Sequence, residues 1–168
     1  MVMKLTVKTT GMLNMEDLKK MIKDNDISVG DELTINDCDW KVLDVQEDRI
    51  LIWKHTGITD HVFNDNWSNV YEGSDIQKYL RTDFKETMPE ELREFDYFLL
   101  SLDDVQKYLP REIDRICCDS KGETDWWWTS TPSVGYGIGV RLIYPSGNVY
   151  DYYALNSYGV APACWIHL

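Results

Sequence analysis

The sequence predicts an α+β fold, with short helices in the middle of the chain and strands before and after them. Three observations predict it. The stretch from residue 28 to 64 alternates apolar and polar residues or runs apolar, as in D-E-L-T-I, W-K-V-L-D-V and R-I-L-I-W-K. Helix-start signals, a capping side chain followed by an apolar stripe, cluster between residues 74 and 109. From Trp126 onward full charge almost vanishes, and tyrosine, glycine, serine and asparagine take over, a composition of strands and turns.

Taken in order, residues 1–27 read as an extension, a strand-like start and one helix, ahead of a domain covering 28–168. Asn14 is a good N-cap, with Glu16 and Asp17 in the first turn, where the helix dipole favours acids. Leu13 and Leu18 are spaced as a hydrophobic staple, and Leu18, Met21 and Ile22 form the apolar stripe. W-K-V-L-D-V and R-I-L-I-W-K form a hairpin about a turn at Gln46 to Asp48. Ser74-Asp75-Ile76-Gln77 is a capping box ahead of Tyr79, Leu80 and Phe84. Pro89 suits the first turn of a second helix. F-L-L gives a strand, and Ser101 caps a third helix that stops before Pro110. Residues 111–125 read as a long polar loop. Strands follow at about 138–144, 148–153 and 158–166, the first two joined by the Pro145-Ser146-Gly147 turn.

The stretch D-W-W-W-T-S-T-P sets three tryptophans in a row. In extended chain Trp126 and Trp128 point one way and Trp127 the other, so either both faces of that strand are covered or one aromatic is left out for a partner.

Composition removes several classes of function. The formal net charge is −12, the wrong sign for a nucleic-acid backbone or an anionic membrane surface. No apolar run has the length of a membrane span, so no membrane insertion is expected. The start, M-V-M-K-L-T-V-K-T-T, lacks an apolar h-region; no signal peptide is expected, and the chain is expected in the cytoplasm as synthesised. The four cysteines contain no C-x-x-C pair, and Cys117 and Cys118 are adjacent, so free thiols are expected. His55, His61 and His167 are scattered and match no metal-ligand spacing. Asp119, Glu123 and Asp125 faintly resemble a calcium loop, but Lys121 falls where a ligand oxygen belongs. No phosphate-binding glycine loop or nucleophile elbow is present. The expectation is no cofactor, no metal and no catalytic residue.

The tail is the informative segment. Between Thr131 and Tyr158, Tyr, Gly, Ser and Asn fill 15 of 28 positions, and Arg141 and Asp151 are the only full charges after Trp126. These are the residues of adaptable binding surfaces, in which tyrosine supplies large amphipathic contact at little entropic cost. The plainer alternative is that the rings pack on the sheet with their hydroxyls at its rim. Alternation puts Tyr150 and Tyr152 on one side of their strand and Tyr153 on the other, so one core cannot cover them all. The candidate ligand-binding residues are Tyr136, Arg141, Tyr144, Asn148, Tyr150, Tyr152 and Asn156. Arg141, the only basic residue of the tail, is expected to stack beside the tyrosine rings as an anchor.

Three separated motifs occur in order: W-K-V-L-D-V with R-I-L-I-W-K, then S-D-I-Q-K-Y-L-R-T-D-F with D-Y-F-L-L-S-L, then W-W-T-S-T-P through S-G-N-V to Y-G-V-A-P-A. This order resembles a domain family of unknown function in bacteria and their phages, whose members read W-x-V-L-D-V, L-L-S, W-W-L-R-S-P, D-G-x-V and G-V-R-P-A. The resemblance covers about residues 28–168, and because the family's W-W strand runs through the domain centre it implies that Trp127 and Trp128 are core and that Trp126 is the extra one, partly exposed and nearer the polar loop. It implies a C-type-lectin-like fold, with antiparallel sheets and a few short helices. That fold is related to the formylglycine-generating-enzyme core and to the variable proteins of diversity-generating retroelements, in which the C-terminal segment binds. Two departures stand out. Ser130 and Ala161 occupy positions where the family has arginine. The calcium signatures of sugar-binding lectins are also missing.

The expectation that follows is a non-enzymatic module, encoded by a phage or prophage and open to virion association. Its Tyr-rich tail would bind a protein or cell-surface ligand. One alternative is a structural protein that packs against its own copies through the same face. Another is an enzyme akin to formylglycine-generating proteins. That would need a metal-binding cysteine pair or histidine trio, and the spacings do not supply one.

Overall fold

The computed structural model of the chain describes residues 14–167. The expected strand-like start and Leu13 of the staple lie outside the described residues. The helices are α1 (Met15–Lys23), α2 (Asp75–Arg81), α3 (Asp83–Thr87) and α4 (Leu102–Tyr108). The strands are β1 (Glu32–Ile35), β2 (Cys38–Val45), β3 (Arg49–Trp53), β4 (Thr59–Val62), β5 (Phe98–Leu99), β6 (Cys117–Cys118), β7 (Thr124–Asp125), β8 (Trp127–Pro132), β9 (Gly139–Ile143), β10 (Val149–Tyr153), β11 (Ser157–Val160) and β12 (Pro162–His167). The architecture is α+β, as expected. One sheet has the order β1-β2-β3-β12-β5, a second β10-β9-β8-β11-β4, and β6 with β7 makes a small hairpin.

The first sheet is antiparallel throughout. Its opening hairpin turns on Asn36 and Asp37, both at positive φ (47° and 66°), a two-residue turn whose twist matches the strands. A register shift between Val42 and Asp44 lets neighbouring Val42 and Leu43 both be buried. Both faces of this sheet are covered. Val42, Ile50, Ile52, Cys164 and Ile166 pack with Leu18 and Ile22 of α1 and Ile76 and Leu80 of α2. Leu43, Leu51, Trp53 and Ala163 pack with Val105 of α4 and with Trp127. Helix α1 is capped as expected, Asn14 Oδ1 accepting from the Asp17 amide at 2.8 Å, and its apolar side belongs to the common core.

β8 lies at the centre of the second sheet. Trp127 and Trp128 are wholly buried, on opposite sides of it, and Trp126 is half-buried. Trp127 lies 5.3 Å from Trp53 of the first sheet, ring centre to ring centre, and donates its indole N–H to the Arg115 carbonyl at 2.9 Å. Trp128 meets Phe63 at 5.6 Å and donates to the His61 carbonyl at 3.0 Å. Gly159 is required beside them: in the parallel β8–β11 pairing a Cβ there would collide with the Trp126 carbonyl and the Ile58 side chain.

Four local expectations are corrected. The second helix is a single 3-10 turn, Glu90–Leu92, with Pro89 just ahead of it. Met88, preceding the proline, is held extended, and Arg93 donates back to the Met88 and Glu86 carbonyls, so the chain turns instead of winding on. Residues 111–125 are not merely a loop. They contain a 3-10 turn, Glu112–Arg115, and the β6–β7 hairpin, anchored by the buried Cys117. The single strand expected at 158–166 is two strands in two sheets, exchanged at the buried Ala161, whose carbonyl accepts the Trp53 indole at 3.1 Å. Finally, Ser74 caps α2 by accepting from the Gln77 amide, but Gln77 reaches back to the Gly73 amide rather than to Ser74. The full reciprocal capping box is at Ser101 and Asp104 of α4.

Burial this complete makes the tryptophans unequal. Trp128→Ala should cost about 3–5 kcal/mol in urea unfolding, as large core truncations do. Trp126→Ala should cost distinctly less. The reverse order would show that Trp126, not Trp128, anchors the core.

Candidate functional site

The site grows out of cross-strand register. Leu142 of β9 sits opposite Trp128 on one side and Tyr150 on the other, and Val140 sits opposite Tyr152. Leu142 and Val140 are core residues under this face. β10 is the outermost strand, so its side chains pass the edge of that core, and Tyr150 remains 55% exposed. Trp126 and Tyr144 extend the same face beyond the strand ends. Trp126 becomes the hub. Its ring centre lies 4.2 Å from Tyr144, 5.3 Å from Tyr158, 6.1 Å from Tyr150 and 6.2 Å from Tyr152. The tyrosines also touch one another, Tyr144–Tyr150 at 5.5 Å and Tyr152–Tyr158 at 5.3 Å. Most of these pairs meet edge to face, the arrangement ring quadrupoles favour. Beyond Tyr158 the row continues to its cross-strand partner His61, whose ring stacks on Tyr79 of α2 at 4.5 Å.

The structure therefore gathers Tyr144, Tyr150 and Tyr152 as expected. Asn156 lies beside Tyr158, and burial pushes the Tyr158 hydroxyl up while the Asn156 amide pulls the other way. Asn148 lies across the turn from Tyr144, its amide on the Ser146 hydroxyl at 3.0 Å. The expected stacking of Arg141 among these rings is corrected. Arg141 pairs in register with Asp151, and its Nε meets the Asp151 carboxylate at 3.2 Å. Odd-numbered residues of β9 and β10 face away from Tyr150 and Tyr152, so strand parity keeps the guanidinium off the aromatic face. Tyr136 also lies elsewhere. It packs on Tyr153 at 5.7 Å, and Tyr153 meets the exposed Trp67 at 6.2 Å.

Sequence reasoning missed Trp126 and Tyr158 as members of the site, and Trp67 altogether. Trp126 was legible in principle, since it shares parity with Trp128 and falls one position outside the strand. Trp67 had no signal: it stands at positive φ (68°) in the N-D-N-W-S-N turn.

The remaining polar chemistry is limited. Asp60 on β4 is held near Asp125 and Asp119, and burial, with the Asp125 carboxylate next, raises its pKa to about 6. Asp119 itself closes the β6–β7 hairpin by accepting from the Lys121 and Glu123 amides. Among the described residues no group of three His, Cys, Asp or Glu side chains is arranged to hold a metal ion. Burial pushes the Cys117 thiol well up. Two cavities lie apart from the aromatic hub. One, of about 300 Å³, is lined by Phe95, Phe98, Trp165 and His167. The other, of about 230 Å³, is lined by Lys54, Tyr79, Phe84 and Met88. No helix among the described residues is long and apolar enough to cross a membrane.

Compared with known protein families and with curated proteins, the chain matches none. The resemblance drawn from its three motifs thus rests on those residues alone.

Asp60 gives a pH dependence of definite sign. Its folded pKa lies above the ordinary 3.8, so the folded chain binds more protons than the unfolded chain between these values. Its contribution to stability is complete below about pH 4 and is lost as pH rises through about 6. Asp60→Asn should therefore be more stable than the wild type at pH 7, with the gap closing towards pH 4 in urea melts. A gap that widens on acidification would contradict the assignment.

Proposed function

We propose that this chain is a non-enzymatic binding module with a C-type-lectin-like fold, encoded by a phage or prophage. In this reading it engages a protein or cell-surface ligand through the aromatic face centred on Trp126. The observation that supports this best is the clustering of Trp126, Tyr144, Tyr150, Tyr152 and Tyr158 on one face, three of them exposed. Tryptophan and tyrosine dominate the energetic centres of interfaces because each buries a large rigid ring and still offers a polar edge. Placing exposed aromatics together costs solubility unless a partner covers them. The electrostatics favour the same reading. The tail carries one cation and one anion, paired to each other, while the −12 charge resides elsewhere. A partner can therefore approach this face without desolvating an unpaired ion.

The test begins with a partner isolated by affinity capture and then titrated in purified form. Tyr150→Ser with Tyr152→Ser should change stability by less than about 2 kcal/mol, since both rings lie at the surface. Affinity should fall at least tenfold, the equivalent of about 1.4 kcal/mol. Full affinity in the double variant would place the contact surface elsewhere, and an unfolded variant would make these residues part of the core.

A further inference from the structure

Among the described residues, β10 has one unpaired edge. Its hydrogen bonds to β9 are fixed by the bonds that flank the ladder: the Tyr144 amide donates to the Asn148 carbonyl, and the Ala154 amide to the Ile138 carbonyl. In an antiparallel pair such bonded positions recur at every second residue. Tyr150 and Tyr152 thus direct their backbone groups inward to β9, and Val149, Asp151 and Tyr153 direct theirs outward. Of the outward groups, the Tyr153 carbonyl accepts from the Asn156 amide. The N–H and C=O of Val149 and Asp151, and the N–H of Tyr153, have no protein partner among the described residues.

Exposed edges are normally guarded by lysine, proline, a bulge or an inward charge. β10, V-Y-D-Y-Y, has none of these; its one charge, Asp151, is already neutralised by Arg141 across the ladder. Two of the other three sheet edges differ. β5 is two residues long, and β4 carries Asp60 beside two further acids.

We infer that β10 is a dimerisation edge, pairing antiparallel with β10 of a second copy of this chain about a two-fold axis at Asp151. This register uses all five residues. It sets Asp151 against the second copy's Asp151 and Val149 against its Tyr153, so every outward amide meets a carbonyl. Tyr150 then faces the second copy's Tyr152 at a closely spaced, non-bonded position on the aromatic face, where cross-strand aromatic pairs add stability. The two carboxylates at the axis lie between two Arg141 guanidinium groups, an arrangement of zero net charge. This decides the occupant. A chain of net charge −12 repels its own copies everywhere except where it is neutral, and the β9–β10 edge is neutral and self-complementary. The result is one continuous sheet of ten strands, with the two aromatic faces joined. The inference stands independently of any ligand bound there.

Cysteine cross-linking reads the register. Opposed Asp151 Cα atoms in a bonded pair are about 5.5 Å apart, inside the roughly 4.4–6.8 Å span a disulfide requires. The two Val149 positions are about 14 Å apart, four residues out of step. Asp151→Cys should form a disulfide-linked dimer under mild oxidation, whereas Val149→Cys and the wild type should not. Light scattering of the unmodified chain should show a dimer at high concentration, strengthened by salt as the remaining negative charge is screened. Wild-type protein that stays monomeric at high concentration and high salt would overturn the inference. So would Val149→Cys cross-linking as readily as Asp151→Cys.

Discussion

The fold depends on one constraint, the burial of two adjacent tryptophans on opposite sides of a single strand. Trp127 and Trp128 cannot share a core, so the molecule supplies two. Trp127 meets Trp53 in the core that α4 covers; Trp128 meets Phe63 in the core that α1 and α2 cover. Each indole N–H would be a costly orphan in these interiors, and each is satisfied by a backbone carbonyl of a different segment, Arg115 for one and His61 for the other. The two bonds tie the 3-10 turn before β6 and the end strand β4 to β8. That leaves β8 at the centre of its sheet, with β9 and β10 on one side and β11 and β4 on the other.

The aromatic face is a consequence of that placement. Once Trp128 takes the buried register position, Trp126 must lie on the same side one step outside the strand. The chain then runs outward through β9 to β10, where the core ends and the side chains that would have been core meet solvent. Tyrosine is well suited to that boundary, because its ring covers the rim of the core and its hydroxyl stays wet. The same parity sends Arg141 and Asp151 to the far side, where they satisfy each other. An uncharged aromatic face and an unprotected strand edge therefore occur together for a common reason: both lie where the second sheet outgrows its core.

Several elements were legible from residues alone because the physics that specifies them is local. Asn14, Ser74 and Ser101 cap helices as their side-chain chemistry dictates. The hairpin of β2 and β3 follows from its apolar pattern, and the split of Trp127 from Trp128 follows from the period of a strand. The grouping of Tyr144, Tyr150 and Tyr152 was legible for the same reason. Arg141 was misplaced by composition: a lone cation in a tyrosine-rich tail suggests stacking, but parity, also visible in the sequence, already opposed it.

What the sequence determined by itself was the α+β class, the helix starts, the face each tryptophan would take and the uncharged, tyrosine-rich character of the tail. Each of these depends on residues within a few positions of one another. Tertiary structure alone decided that residues 157–167 divide between two sheets at Ala161, that Asp60 is brought against Asp125, that Trp126 becomes the hub of the aromatic face, and that β10 is left as an edge. These features depend on which strands become neighbours. Strand order is set by long-range packing about Trp53, Trp127 and Trp128, and no local pattern of residues encodes it.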